Sequence, residues 1–261
     1  MIPLPTQPKI VKREGNKVLF EIEALYPGYG VTVGNSLRRV LLSSLQGAAV
    51  TQMKIKGVSH EFSTIPGIKE DVITIMLNLK KLRFRAFSDE PQMGRLHIKG
   101  EKEVKGSDFE LPSQVELING DSHIASLTAK TSDLELEITI EKGIAYSPRE
   151  GRKKEKVEIG TIPIDAIFSP IKRISFKVEN MRVGERTDFD KLSLEIETDG
   201  TVKPETAFAQ ASETLVKHFS LLAETFQTEE SLPSAKTASG KKARKKKTVS
   251  SVKKHEKKKK G

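Results

Sequence analysis

The sequence has no cysteine and no tryptophan, and aromatic residues make up only 5% of its 261 positions. Without thiols, disulfides and thiolate metal sites are excluded. So few rings also argue against a stacking platform for single-stranded nucleic acid. No apolar run reaches the roughly eighteen residues that would span a bilayer. The N-terminal MIPLPTQPKI lacks a basic region leading into an apolar core. Together these absences predict a soluble, intracellular protein with no membrane partner.

Catalytic chemistry is equally scarce. The five histidines (His60, His97, His123, His218 and His255) show no metal-ligand spacing. Of these, His218 is expected to be packed and hydrogen-bonded. Asp188 and Asp190 form a D-x-D, but Arg186 and Lys191 flank it, so RTDFDKL reads as a charged loop or contact surface rather than a magnesium clamp. Gly28, Gly30 and Gly34 are spaced one residue too long for a dinucleotide fingerprint and suit a turn into a helix instead. No nucleophile, general base or cofactor site is expected in this chain.

Charge is present in quantity but unevenly placed. The formal net charge is +10. From Ser231 to Gly261 there are twelve Lys and one Arg against a single Glu, a charge of +12, which leaves residues 1–230 at −2. The tail has almost no apolar residues, so it is expected to be disordered. Its densest block, Lys241, Lys242, Arg244, Lys245, Lys246 and Lys247, fits a non-specific, salt-sensitive contact with DNA or RNA. A merely solubilising terminus would have the same composition.

What remains is mainly strands. Lys17 to Leu25 alternates Val18, Phe20 and Ile22 with Leu19, Glu21 and Glu23, the pattern of a strand with one wet face. Residues 49–58, 94–99, 134–141, 174–178 and 192–198 read similarly, and Asp199-Gly200 supplies a turn. Two helices bracket this region, one over Asn35–Leu45 and one beginning at Pro204, a residue suited to a first helical turn.

Both helices carry more than one useful face. With Leu37 at zero on a helical wheel, Val40, Leu41, Ser44 and Leu45 fall within about 80°, an apolar stripe. Arg38, Leu42 and Arg39 fall at about 100°, 140° and 200°, a basic patch around a leucine. That flank suits a protein partner or, as readily, solvent. In the second helix Phe208, Ala211, Leu215, His218, Phe219, Leu222 and Phe226 recur at spacings of three and four. Such a stripe can pack on its own core or meet a second copy across a two-fold axis.

Two long blocks carry a resemblance. One runs GYGVTVGNSLRRVLLSSLQGAAV, then GVSHEFSTIPGIKEDV and LNLK; the other is FSPIKRISFKVENMRVGERTDFDKLSLEIETDGTVKPETAFAQASETL. Between about Ile10 and Phe226 the chain resembles the alpha subunit of bacterial-type DNA-directed RNA polymerase. The resemblance implies an α+β fold with a discontinuous dimerisation domain of two helices and a sheet, residues 1–46 and 174–230. An inserted, mostly β domain would occupy residues 47–173, followed by the disordered basic tail at 231–261.

It also implies a subunit of a nucleotidyltransferase that carries no active site itself. Two copies would pair and hold the beta and beta-prime subunits, with DNA in the holoenzyme, in a bacterial cytoplasm or a plastid stroma. By matching motifs, the beta contacts would be Arg38, Arg39, Leu42, His60, Glu61, Phe62, Ser63, Thr64 and Lys80. Arg182, Arg186, Asp188 and Asp190 would touch beta or beta-prime. Leu37, Leu41, Phe208, Ala211, Leu215, Phe219 and Leu222 would line the dimer interface. The family's usual C-terminal promoter-binding domain has no counterpart in these residues, so promoter reading is not expected of this chain. Rival readings are a homodimeric scaffold outside transcription and a stand-alone nucleic-acid-binding protein acting through its tail.

Overall fold

A computed structural model describes residues 2–152 and 160–227. The expected tail, residues 231–261, lies wholly outside the described residues, and with it the basic block from Lys241 to Lys247. The chain divides into two units, Met1–Ser220 and Leu221–Gly261. Within the first unit and the helix that runs out of it, the described strands are β1 (Lys9–Glu14), β2 (Lys17–Leu25), β3 (Gln46–Ile55), β4 (Phe84–Ala86), β5 (Gln92–Lys99), β6 (Lys102–Lys105), β7 (Val115–Leu117), β8 (His123–Leu127), β9 (Asp133–Ile144), β10 (Tyr146–Ser147), β11 (Thr161–Pro163), β12 (Ala166–Ile167), β13 (Ile171–Val183) and β14 (Arg186–Thr198). The helices are α1 (Tyr29–Ser43), α2 (Val72–Leu79) and α3 (Pro204–Gln227).

The mixed α+β expectation holds, and the strands pair largely as antiparallel ladders. One sheet has the order β1-β2-β14-β13, so residues 9–25 pair in it with residues 171–198. Period-two patterning in β2 and β14 puts Val18, Phe20, Ile22, Leu192, Leu194 and Ile196 on a buried face. The opposite face is wet and laced with ion pairs, Lys17 with Glu195 at 3.0 Å and Lys191 with Glu21 at 3.1 Å. A second sheet runs β5-β9-β3-β4-β7, with β11 also on β3.

Each sheet builds its own apolar cluster. Val18, Phe20, Leu37, Leu41, Leu45, Leu194, Ile196, Ala207 and Ala211 gather under α1 and α3. A larger cluster, from Ala48 to Ile164, gathers Met53, Phe84, Leu96, Leu136 and Ile138 around α2. That third helix is absent from the sequence reading, which finds only two. It is one short apolar segment with no polar face to reveal a period, and Asp71 starts it by accepting the Thr74 N–H at 2.8 Å.

Three further expectations change. Helix α1 begins at Tyr29, six residues before the expected Asn35. The RTDFDKL segment is not a loop; it opens the thirteen-residue strand β14. His218 is exposed on α3 rather than packed.

The glycines explain the early start of α1. Gly28 sits at the N-cap with φ +85°, a conformation that favours glycine. Gly30 and Gly34, one turn apart, serve close packing instead of a turn. A Cβ on Gly30 would stand 2.7 Å from Val178, and one on Gly34 would stand 2.8 Å from Phe176 and 2.9 Å from Leu192. The helix therefore lies directly on the sheet.

Candidate assembly surfaces

Three groups of residues singled out from the sequence fall in three structural settings. On α1, the buried face and the basic face separate as the wheel predicts. Leu37 and Leu41 are buried in the core beneath the helix, and Leu41 is wholly enclosed. Arg38 and Arg39 are exposed, and Leu42 between them is 42% exposed. Val31, at i−7 from Arg38, extends this exposed stripe toward the start of the helix. Among the described residues no ion pair or side-chain hydrogen bond holds either guanidinium.

The second group joins the HEFST segment to Lys80. Their meeting depends on three residues that the sequence reading passes over: Tyr146, Arg149 and Asp165. Lys80 lies 3.4 Å from one oxygen of Asp165, and the other oxygen accepts the Arg149 backbone N–H at 3.0 Å. The Arg149 guanidinium in turn donates to Glu61 at 3.0 Å. The Tyr146 hydroxyl also reaches Asp165.

Both carboxylates are held below their ordinary range. For Asp165 the Arg149 N–H is the main cause, opposed by burial and aided by Lys80. For Glu61 it is its own backbone N–H, then Arg149. The network borders an open cleft of about 460 Å³, lined by Phe62, Ile73, Met76, Tyr146, Pro148 and Pro163. Phe62 is 77% exposed at its rim. His60 and Ser63 close the segment on itself, with Nδ1 and Oγ 3.1 Å apart, and Thr64 is exposed.

The third group lies at the β13–β14 hairpin. Arg182 donates to the Gly184 carbonyl at 2.8 Å, across the turn. Arg186 makes a two-pronged pair with Asp188 at 3.0 and 2.7 Å, which raises the guanidinium and lowers the carboxyl. It also stands 5.6 Å over the Tyr26 ring and 5.1 Å over Phe189. Asp190 differs from its neighbours: it is buried and spent inside the fold, accepting the N–H groups of Gly28 and Gly30.

The expected dimer residues also divide. Ala211 is wholly buried, while Phe208 and Leu215 are partly buried against the same core as Leu37 and Leu41. Leu37, Leu41 and Ala211 therefore support the helices from within. Farther along α3, Val216 and Phe219 are 62% and 61% exposed. In the second unit, Leu221 and Leu222 are 63% and 58% exposed.

A family model described as the RNA polymerase Rpb3/RpoA insert domain matches residues 53–169. A DNA-directed RNA polymerase subunit alpha from Carboxydothermus hydrogenoformans is 48% identical over 217 residues, covering 82% of this chain and 69% of that protein. The chain belongs to the RNA polymerase alpha-subunit family. The alpha subunit of Symbiobacterium thermophilum is 51% identical over 77% of this chain and 64% of its own length. That of Roseiflexus castenholzii is 47% identical over 83% of this chain and 66% of its own. The chain thus spans about two thirds of the length of the relatives it matches. Among the described residues, no helix of this alpha-family chain is long and apolar enough to cross a membrane.

Proposed function

We propose that the chain is a non-catalytic assembly subunit of a cytoplasmic DNA-directed RNA polymerase: two copies pair, and the pair holds the beta and beta-prime subunits. The observation that carries the reading, beyond family membership, is the split character of α1. Its apolar face is consumed by its own core, while Arg38, Arg39 and Leu42 stand exposed, with neither guanidinium paired among the described residues. A cation pair around an exposed leucine gives a partner both a charge to match and a surface to bury. The Glu61–Phe62–Lys80 cleft and the Arg182–Arg186–Asp188 hairpin offer two further surfaces of mixed apolar and ionic character. Residues 1–46 with 174–230 and residues 47–173 would be the two domains, a division supported by the separate apolar clusters.

Pairing of the two copies would use the exposed part of α3 in the first unit, through Val216 and Phe219, with Phe208 and Leu215 behind them; Leu222, in the second unit, is a separate candidate. Co-expression with a tagged beta subunit tests the assembly reading. The unaltered chain should be captured and Arg39→Ala should not; capture of both equally would defeat it. Phe219→Asp should turn the dimer into a monomer in sedimentation if α3 pairs the copies. For residues 241–247, charge alone supports a non-specific DNA contact. Truncation after Glu230 should then flatten the salt dependence of DNA affinity in the reconstituted polymerase. Family membership disfavours the scaffold and stand-alone nucleic-acid-binding alternatives.

A further inference from the structure

Helix α1 has no side-chain cap of its own, because the N-cap residue is Gly28. Its first turn is capped from across the fold. Asp190 is only 6% exposed, and its Oδ2 accepts the N–H groups of Gly28 and Gly30, both at 2.9 Å. These are orphan donors of a helix start, where the dipole also favours an anion.

The rest of the hold on α1 is apolar. Leu37 and Leu41 pack by non-directional burial, joined by Leu45 just past the helix end. At the closest approach the helix offers no side chain: the bare backbone at Gly30 and Gly34 faces Val178, Phe176 and Leu192. Such a smooth ridge resists sliding along the helix axis poorly, whereas two directional bonds to one buried carboxylate resist it well.

Strand geometry aims that carboxylate. Opposite it, β2 is bulged: pairing passes from Asp190–Leu25 to Leu192–Ile22, and Ala24 takes φ +61°. The Ala24 N–H faces Met181 Sδ at 3.0 Å, which ties the bulge to β13. Two and four residues before Asp190 stand Asp188 and Arg186, and Phe189 lies edge-on to Tyr26 at 6.2 Å.

We propose that Asp190 is a positioning residue: its carboxylate fixes the axial register of α1 on the sheet, and with it the place at which the Arg38–Arg39–Leu42 face of that helix meets a partner. This rests on the assembly reading above. Asp190 itself touches no partner; it acts through the two amides.

The test compares five full-length chains for beta-subunit affinity, thermal unfolding and hydrogen exchange: wild type, Asp190→Asn, Arg39→Ala, the double variant of these two, and Leu194→Ala. Leu194 is wholly buried on the same strand and does not line the Gly30–Gly34 contact, so it controls for plain destabilisation. Asp190→Asn should lose roughly tenfold or more in affinity, with faster exchange confined to the first turns of α1. Leu194→Ala should melt lower yet bind better than Asp190→Asn. The Asp190→Asn/Arg39→Ala double variant should lose less than the two singles added together, because both act on one surface.

Wild-type affinity in Asp190→Asn, with Arg39→Ala impaired, overturns the positioning role and leaves the assembly reading standing. Normal binding by Arg39→Ala overturns both. If Asn at 190 prevents folding, Asp190→Ser, whose shorter side chain does not reach the two amides, is judged by the same criteria.

Discussion

Two basic surfaces of this molecule are built in opposite ways. On α1, Arg38 and Arg39 are exposed and have no partner among the described residues, while the apolar side of the same helix is fully occupied. On the second sheet's side, Lys80 and Arg149 are committed to Asp165 and Glu61 within one network. The first surface can give its charge to a partner at no cost to the fold. The second must exchange an internal pair for an external one, so the net gain on binding is smaller. Folding and recognition are therefore separable on α1 and entangled around Asp165.

The largest expected effect tests the folding side of α1. Leu41→Ala removes a wholly enclosed side chain and should cost about 2–5 kcal/mol in denaturant unfolding. Gly34→Ala should cost about 1–3 kcal/mol, because the new methyl would stand 2.8 Å from Phe176. A neutral or stabilising result there would mean that α1 is not seated directly on the sheet.

The Asp165 network should respond more weakly. Lys80→Ala should change stability by less than about 1 kcal/mol, since the Arg149 N–H still holds Asp165. Its affinity loss for the beta subunit should be smaller than that of Arg39→Ala, and the reverse order would invert the comparison. The smallest effect is acid dependence. The Asp165 carboxyl is depressed from its ordinary 3.8, so its stabilisation is complete above that value and fades as pH falls through the lowered one. Below it, wild type and Lys80→Ala should converge in Tm; a gap that persists in acid would show that Lys80 is held by something else.

Much of the fold was legible because it follows local period. The alternation in β2 and the two faces of α1 depend only on neighbouring residues, and both appear where the pattern puts them. The readings that needed correction depend on distant residues. Gly30 and Gly34 look like turn glycines until Phe176, Val178 and Leu192 are brought against them. Asp190 looks like a surface carboxylate because its partners lie 160 and 162 positions away. RTDFDKL reads as a loop because its charges mask the alternation of a strand whose first residues are exposed. Arg149 meets Glu61 across 88 positions, and no spacing rule foretells that. Asp71, directly before the apolar run of α2, is by contrast a local N-cap signal.

The most direct measurement is beta-subunit affinity and unfolding free energy on the same preparation of Arg39→Ala. The account predicts an affinity loss of about 2–5 kcal/mol, with folding stability unchanged to within about 0.5 kcal/mol. Unchanged affinity would contradict it. So would an equal loss in both quantities, because Arg39 would then be part of the fold rather than part of a surface offered to a partner.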